Sequence, residues 1–184
     1  MRLGPALLML STVTAACGDK DDSGESGTGD TDATDSTPPD DTGTALPCAV
    51  EDGEACLELD GTDYADLIAT AVLGSGFHEG EIRISASPDG SATPPKLDLT
   101  WDQTLEPGRY DCTGDTSIGF NDTARYWVAS EDYVNLGSSC ALEIVETGVE
   151  PGDPILAWFT GEVVSSSGDG PVVMAGAVRV TLSP

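Results

Sequence analysis

From residue 48 onward, short apolar runs alternate with Gly, Pro, Asp and Ser, which is typical of an all-β protein. In four segments every second residue is apolar and the residues between are mostly polar or small. The apolar sets are Ile82, Ile84 and Ala86; Leu97, Leu99 and Trp101; Cys140, Leu142 and Ile144; and Val178, Val180 and Leu182. One apolar and one polar face predict antiparallel sheets that cover a core on one side.

The same pattern predicts the positions of the individual strands. They are expected at 54–60, 64–73, 80–87, 96–102, 108–112, 124–129, 139–146, 155–165 and 172–182. About eight or nine antiparallel strands most simply form a β-sandwich, so we predict an all-β, antiparallel β-sandwich domain over residues 48–184. This length suits one domain.

The segment 63–73 also fits a helix. Its apolar residues fall at helical spacing and Gly74 could cap a helix there. These residues are Tyr64, Leu67, Ile68, Ala71 and Val72. We interpret the segment as a strand, because the neighbouring segments on both sides are predicted strands that need partners. A helix is the alternative.

Residues 18–47 contain almost no apolar side chains, and they hold nine acidic residues and one basic residue. Such a segment cannot offset the entropy cost of ordering, so we predict that 17–47 form a disordered acidic linker. The chain has 33 acidic and 7 basic residues, which gives a net charge of −26. Residues 48–184 hold 24 of the acidic residues and five of the basic ones. This charge repels phosphate backbones, so no nucleic-acid partner is predicted.

The N-terminus has the features of a signal peptide. Met1-Arg2 is basic, and the apolar run 3–13 that follows is far shorter than the ~20 residues that cross a bilayer. Small residues come next, so residues 1–16 are predicted to be cleaved off as a signal peptide. Thr14-Ala15-Ala16-Cys17 resembles a bacterial lipobox, with Thr14 where that family usually has Leu. The resemblance implies a lipid on Cys17, a membrane anchor and, because Gly18 follows, the outer membrane where a cell has one. Ordinary cleavage after Ala16, which releases a soluble protein, is the alternative.

Five cysteines leave one unpaired, and Cys17 stands where the signal peptide ends. The other four suit an oxidising compartment and allow three pairings. We predict Cys48–Cys56, which closes a small loop at the start of the domain, and Cys112–Cys140, which ties two strands together. The loop-entropy model gives these bridges about 2.6 and 3.6 kcal/mol. A zinc site would need CxxC-type spacing, which is absent.

Several stretches also resemble small β-sandwich lipoproteins of environmental bacteria, in which L-x-L and G-x-Y precede a closing pair of strands. They are Leu97-Asp98-Leu99, Pro107-Gly108-Arg109-Tyr110-Asp111-Cys112, the run 158–163 and Gly176-Ala177-Val178, where the family usually has G-x-F. The resemblance covers the layout of 55–182. It implies the fold and an envelope location, and it carries no activity.

No set of residues predicts catalysis. Nucleophilic catalysis needs a base beside the nucleophile, and the single histidine, His78, lies in a Gly-rich turn. The simpler interpretation is that His78 is a solvated surface residue. A pair of carboxylates could hydrolyse glycosides, but among 24 acids no pair can be singled out. Phosphate-binding glycine loops are absent from the sequence. We therefore assign no catalytic residue and no cofactor.

Calcium binding is the remaining metal hypothesis. Asp30-Thr31-Asp32 starts like an EF-hand loop, but Asp35 and Asp41 occupy the positions that need Gly and Glu. The loops 111–115 and 150–153 hold carboxylates without a recognisable ligand spacing. No metal site is predicted.

Two tryptophans are candidate ligand contacts. In 155–163, Ile155, Ala157 and Phe159 alternate as a core face, which points Trp158 outward, and in 124–129 either Trp127 or its neighbour faces out. An outward tryptophan can stack on a sugar or anchor an interface, whereas in the alternative both rings belong to the core.

The prediction is thus a non-catalytic, lipid-anchored structural or interaction domain of the cell envelope, with a glycan or an envelope protein as candidate partner. The first alternative is a carbohydrate-binding module that uses Trp158 and Trp127, and the second is a carboxylate-based hydrolase. The sequence makes no prediction about the oligomeric state.

Overall fold

The computed structural model describes residues 47–114 and 116–184. The predicted signal peptide, the lipid site at Cys17 and the linker up to residue 46 lie outside the described residues. Ten strands form most of the described chain: β1 (Glu54–Leu59), β2 (Thr62–Leu73), β3 (Glu81–Ser87), β4 (Lys96–Asp102), β5 (Gly108–Asp111), β6 (Ser117–Asn121), β7 (Tyr126–Ala129), β8 (Ser139–Glu146), β9 (Pro154–Ser165) and β10 (Val172–Thr181).

All pairings between these strands are antiparallel, which confirms the predicted all-β, antiparallel class. The two helical segments are short 3₁₀ turns at Gly76–His78 and Glu131–Leu136. Within the described ranges, no helix has the length and apolarity needed to cross a membrane.

The prediction of a sandwich is wrong, because the sheet closes into an eight-stranded β-barrel. Its strands follow the order β1–β2–β3–β4–β6–β7–β9–β10, and β10 pairs again with β1. Closure depends on the length of β9. One edge of β9 pairs with β10, while the other edge pairs with β8 over Leu156–Glu162 and with β7 at Val164 and Ser165. Closing the ring gives most strand edges a partner.

Two strands lie outside the closed ring. Strand β8 pairs with β9, and β5 pairs with β8, so these two strands form a branch beside the barrel. The chain leaves the ring after β4 to form β5, and it returns at β6, which pairs with β4. The branch therefore extends the outer surface of the sheet on one side of the molecule.

Strand β2 includes the segment for which a helix was the alternative, and the strand interpretation is confirmed. A register shift opposite Ala55–Leu57 places a β-bulge in β2, with Asp66 at φ 55°. The bulge inserts one residue, so Tyr64 and Leu67 both face inward although they are three residues apart. This spacing produces the helix-like pattern in the sequence.

Strand β6 was not predicted, because it is short, carries Gly119 at its centre and has only two large apolar side chains. On the outer face the ring of Tyr126 covers Gly119, and a Cβ there would collide with the tyrosine hydroxyl. Tyrosine lying over a glycine in a neighbouring strand fills the gap that the missing side chain leaves.

The barrel interior is filled by side chains rather than by a cavity. Trp101, Phe120 and Phe159 are its largest fully buried residues, and the edge of the Tyr64 ring packs on Phe120 with the ring centres 4.7 Å apart. All four alternating apolar sets predicted from the sequence are buried. An eight-stranded barrel has an interior just wide enough for side chains to fill.

Both predicted disulfides are confirmed as cysteine pairs. Cys112 and Cys140 are buried in the core with their Cα atoms 5.2 Å apart, and they tie the end of β5 to the start of β8. Cys48 and Cys56, with Cα atoms 6.4 Å apart, tie the segment before the barrel to β1.

Candidate functional site

The outer face of β8, β9 and β10 brings Trp158 next to a row of small side chains. Trp158 lies opposite Glu143 on one side and Ala177 on the other. Two residues along β9, Thr160 lies opposite an alanine on each side, in a row formed by Ala141, Thr160 and Ala175. Since side chains alternate across a strand, this row and Trp158 share one face, and the small row forms a floor beside the indole.

A shallow groove, the Trp158 trough, results from this arrangement. Its lining residues are Pro47, Arg109, Ala141, Glu143, Trp158, Phe159, Thr160 and Ala175. The trough holds about 190 Å³, which is below the roughly 300 Å³ at which pockets for drug-sized ligands begin. It can therefore receive one ring, or a short section of a longer ligand that continues along the surface.

A hydrogen bond fixes the orientation of the half-buried Trp158 ring. Its Nε1–H donates to Oε2 of Glu143 over 3.1 Å, across the β8–β9 pair. The indole N–H is thus satisfied before any ligand arrives, and the ring is held in place. A prepositioned aromatic ring loses little conformational entropy when a ligand binds.

Arg109 lies at the end of the trough formed by β5, opposite Glu143 in the β5–β8 register. The ion pairs within the described ranges involve His78, Lys96 and Arg125 as the basic partners, so the exposed Arg109 takes part in none of them. Its guanidinium is therefore available as a hydrogen-bond donor at the trough, next to the carboxylate of Glu143.

Trp127, the second candidate ligand contact, is 6% exposed and belongs to the core. Its Nε1–H donates to Oδ2 of Asp122 over 2.8 Å, and the guanidinium of Arg125 lies 5.6 Å from its ring centre. The outward residue of this strand is its neighbour Tyr126, which is 40% exposed. The structure thus brings Trp158 to an open surface but not Trp127.

Asp122 combines two opposing effects on its pKa. Partial burial alone would raise the pKa of this carboxyl group, but hydrogen bonds from Trp127, Arg125 and Ala124 and the positive charge of Arg125 outweigh it. The pKa of Asp122 therefore lies below its ordinary value, and the group is a structural anion rather than a proton carrier.

The remaining sequence candidates are not brought together into a site. Nδ1 of the half-exposed His78 lies 2.9 Å from Oε2 of Glu81, at the β2–β3 turn. In the loop 150–153, the Asp153 carboxylate accepts hydrogen bonds from the N–H groups of Val149 and Glu150, which makes it a turn cap. Within residues 47–114 and 116–184, no group of three His, Cys, Asp or Glu side chains could hold a metal ion.

The sequence indicated Trp158 but missed its surroundings. Glu143, Arg109 and Pro47 come from three separate segments, and only the strand register brings them to the same groove. Alternation assigned a face to each residue, but it cannot tell which strands are neighbours.

No protein-family model matches the chain, and comparison with curated proteins and with solved structures produced no significant match.

Proposed function

We propose that this chain is a non-catalytic binding domain of the cell envelope, attached to the membrane through a lipid on Cys17, and that the Trp158 trough binds a carbohydrate. The observation that carries this proposal is the placement of the Trp158 ring at an open groove, where its N–H bond to Glu143 holds it beside a floor of small residues.

Carbohydrate fits the chemistry of the trough. The apolar face of a sugar ring stacks on an aromatic ring, and the hydroxyl groups around the sugar need donors and acceptors at the rim. Trp158 supplies the ring, Arg109 supplies N–H donors, and Glu143 and Thr160 supply oxygen acceptors. The volume of about 190 Å³ suits one sugar unit of a longer chain.

The trough favours binding over hydrolysis. Glycoside hydrolysis requires two carboxyl groups, about 5–10 Å apart, on either side of the bond that breaks. Among the residues that line the trough, Glu143 is the only carboxylate, and Asp111 beside the trough lies on the same side of Trp158 as Glu143, in the paired strands β5 and β8. A hydrolase is therefore not proposed.

The charge of the domain narrows the class of glycan. Residues 48–184 carry 24 acidic and five basic residues, and Asp111 lies next to the trough. Polyanionic chains are repelled over distances up to the Debye length of about 8 Å at physiological salt. We therefore propose a neutral glycan rather than a sulfated or phosphorylated one.

Tryptophan fluorescence tests the carbohydrate proposal directly. Trp101 and Trp127 are buried, so a change on titration with a ligand reports on Trp158. The full chain is titrated with neutral oligosaccharides of cellulose, xylan, mannan, chitin and β-1,3-glucan. At least one series is expected to shift the emission. Because Trp158→Ala removes the reporting tryptophan, isothermal titration calorimetry measures binding to both chains, and the variant is expected to bind about 30-fold more weakly, the equivalent of ~2 kcal/mol.

The matched control is Phe77→Ala, which removes a fully exposed aromatic ring from the β2–β3 turn, away from the trough. This variant is expected to bind as the unmodified chain does. If no oligosaccharide changes the emission, or if Trp158→Ala binds as tightly as the unmodified chain, the carbohydrate proposal is wrong.

Mass spectrometry of the mature protein tests the lipid anchor. The expected N-terminal residue is a Cys17 that carries acyl chains, and Cys17→Ser is expected to move the protein from the membrane fraction to the soluble one. Two or more acyl chains are needed for stable anchoring. A mature protein that begins at an unmodified Cys17 would contradict the anchor and leave the trough proposal untouched.

A further inference from the structure

The segment before the barrel crosses the outer face of the sheet with few ties to it. Residues 47–50 make no backbone–backbone hydrogen bond to any described residue, and within the described ranges the first such bond joins the N–H of Glu54 to the carbonyl of Glu51. Pro47 nevertheless lies against the Trp158 trough and forms part of its lining. Some other interaction must hold it there.

Cys56 provides the attachment point. Its neighbours Ala55 and Leu57 belong to the core, so the alternation along β1 points Cys56 to the outer face. It is nevertheless only 4% exposed, because the bonded segment around Cys48 covers it. A residue that faces outward and is almost fully buried indicates that the covering segment is held closely against the sheet.

Cys56 and Trp158 lie in the same row across three strands. Cys56 is opposite Ala177 of β10, and Ala177 is opposite Trp158 of β9. Neighbouring strands are about 4.8 Å apart, so the two residues are separated by roughly 10 Å. The disulfide therefore places Cys48, and with it Pro47, within reach of the indole.

We infer that the Cys48–Cys56 disulfide is a positioning bond for the trough: it holds Pro47 as an end wall beside Trp158, and the wall opens when the bond is absent. This inference rests on the proposed function of the trough. Within the described ranges, the disulfide is the covalent bond that ties Pro47 and its neighbours to the sheet, and no backbone hydrogen bond takes its place. The segment that the bond holds lies before the barrel, since the hydrogen-bonded strands begin at Glu54.

Acrylamide quenching of tryptophan fluorescence tests this inference without any ligand. In the full chain, quenching reports on Trp158 because Trp101 and Trp127 are buried. The double variant Cys48→Ala/Cys56→Ala is expected to raise the Stern–Volmer constant about twofold, since one side of the indole loses its neighbour to solvent. Pro47→Gly, which keeps both disulfides, is expected to raise it in the same direction.

Pro151→Gly is the matched control, because it changes an exposed proline that does not line the trough. It is expected to leave quenching unchanged. If the double variant does not fold, as judged by circular dichroism, Cys48→Ala alone carries the measurement, since it removes the bond and keeps the buried Cys56 side chain. Unchanged quenching in a folded variant that lacks the bond overturns the inference, even if Pro47→Gly raises quenching.

The oligosaccharide titration separates the two proposals. If a neutral oligosaccharide binds the unmodified chain, the variant without the bond is expected to bind about fivefold more weakly, through loss of a preorganised wall. Raised quenching together with no binding of any oligosaccharide supports the positioning role and contradicts the carbohydrate function. If an oligosaccharide binds the unmodified chain, and the variant without the bond shows unchanged quenching and affinity, the result supports the carbohydrate function and contradicts the positioning role.

Discussion

The carboxylate of Asp122 holds the turn between β6 and β7 and the ring of Trp127 at the same time. Its Oδ1 accepts hydrogen bonds from the N–H groups of Ala124 and Arg125 over 2.9 and 2.7 Å, and its Oδ2 accepts the indole N–H of Trp127 over 2.8 Å. Three donors on one charged side chain predict that substitution of Asp122 has a large effect on stability.

Two substitutions of Asp122 are expected to lower the free energy of unfolding by different amounts. Hydrogen bonds to a charged group contribute about 1.5–3 kcal/mol each, and the partly exposed position of the turn reduces this. Asp122→Ala loses all three bonds, and we expect a loss of about 3 kcal/mol in the free energy of unfolding. Asp122→Asn keeps one oxygen for the backbone N–H groups and turns an amide N–H₂ towards Trp127, so we expect a loss of about 1–2 kcal/mol.

The effect also depends on pH. The pKa of Asp122 is lower in the folded protein, so its contribution is present above the unfolded pKa and is lost as the pH falls through the folded pKa. The difference in stability between the unmodified chain and Asp122→Asn is therefore expected to be complete near pH 7 and to shrink as the pH falls below about 3.9, the ordinary pKa of aspartate.

Urea unfolding followed by tryptophan fluorescence, at about pH 7 and about pH 3, measures both differences. Asp169→Asn is the matched control, because this exposed carboxylate lies 3.7 Å from Arg125 and pairs of this kind contribute roughly 0–1 kcal/mol. Equal stability of Asp122→Ala and the unmodified chain near pH 7 would refute the reasoning. So would a deficit in Asp122→Asn that stays the same at acid pH.

Three further substitutions test the fold. Gly161→Ala is expected to lower the free energy of unfolding by about 2 kcal/mol, because its Cβ would lie 2.7 Å from the Cα of Cys140. An unchanged urea midpoint would contradict the β8–β9 register. Replacing Cys112 and Cys140 together by Ala is expected to cost about 3–4 kcal/mol, measured by the same unfolding, and a cost near zero would count against a bridge across 28 residues. Gly61→Ala, at φ 77° in the β1–β2 turn, is expected to cost about 1 kcal/mol, and no loss would argue against that turn.

The strands were largely predictable from the sequence, because side chains alternate between the two faces of a strand whatever its partners are. Strand β3 illustrates this, since Ile82 and Ile84 are buried and Arg83 is exposed as the alternation requires. The sequence of β6 is too short and too poor in large apolar residues to produce the same signal. The bulge at Asp66 changed the spacing of the inward-facing residues in β2, and this spacing made a helix the alternative for that segment.

Closure into a barrel was not predictable in this way. It depends on the pairing of β4 with β6 and of β7 with β9. Between the two strands of each pair, the sequence holds one strand of the branch, β5 or β8. Pairings between strands that are not consecutive depend on three-dimensional contacts, and local alternation contains no information about them. Trp127 was a candidate ligand contact for a similar reason, since Asp122 supplies the hydrogen-bond partner that lets its indole be buried.

The filled interior of the barrel has a consequence for binding. With Trp101, Phe120 and Phe159 packed inside, a ligand can reach the barrel only from its outer face. A closed ring alone presents a convex outer surface, which gives little contact to a small molecule. The branch of β8 and β5 extends that surface beside β9, and Pro47 and Cys48 lie on the β1 side, so that Trp158 has the branch on one side and the disulfide-bonded segment on the other. The two strands outside the ring and the disulfide before it are therefore the features that turn a convex barrel wall into a groove, and substitutions that alter ligand binding without altering the barrel are expected at these positions.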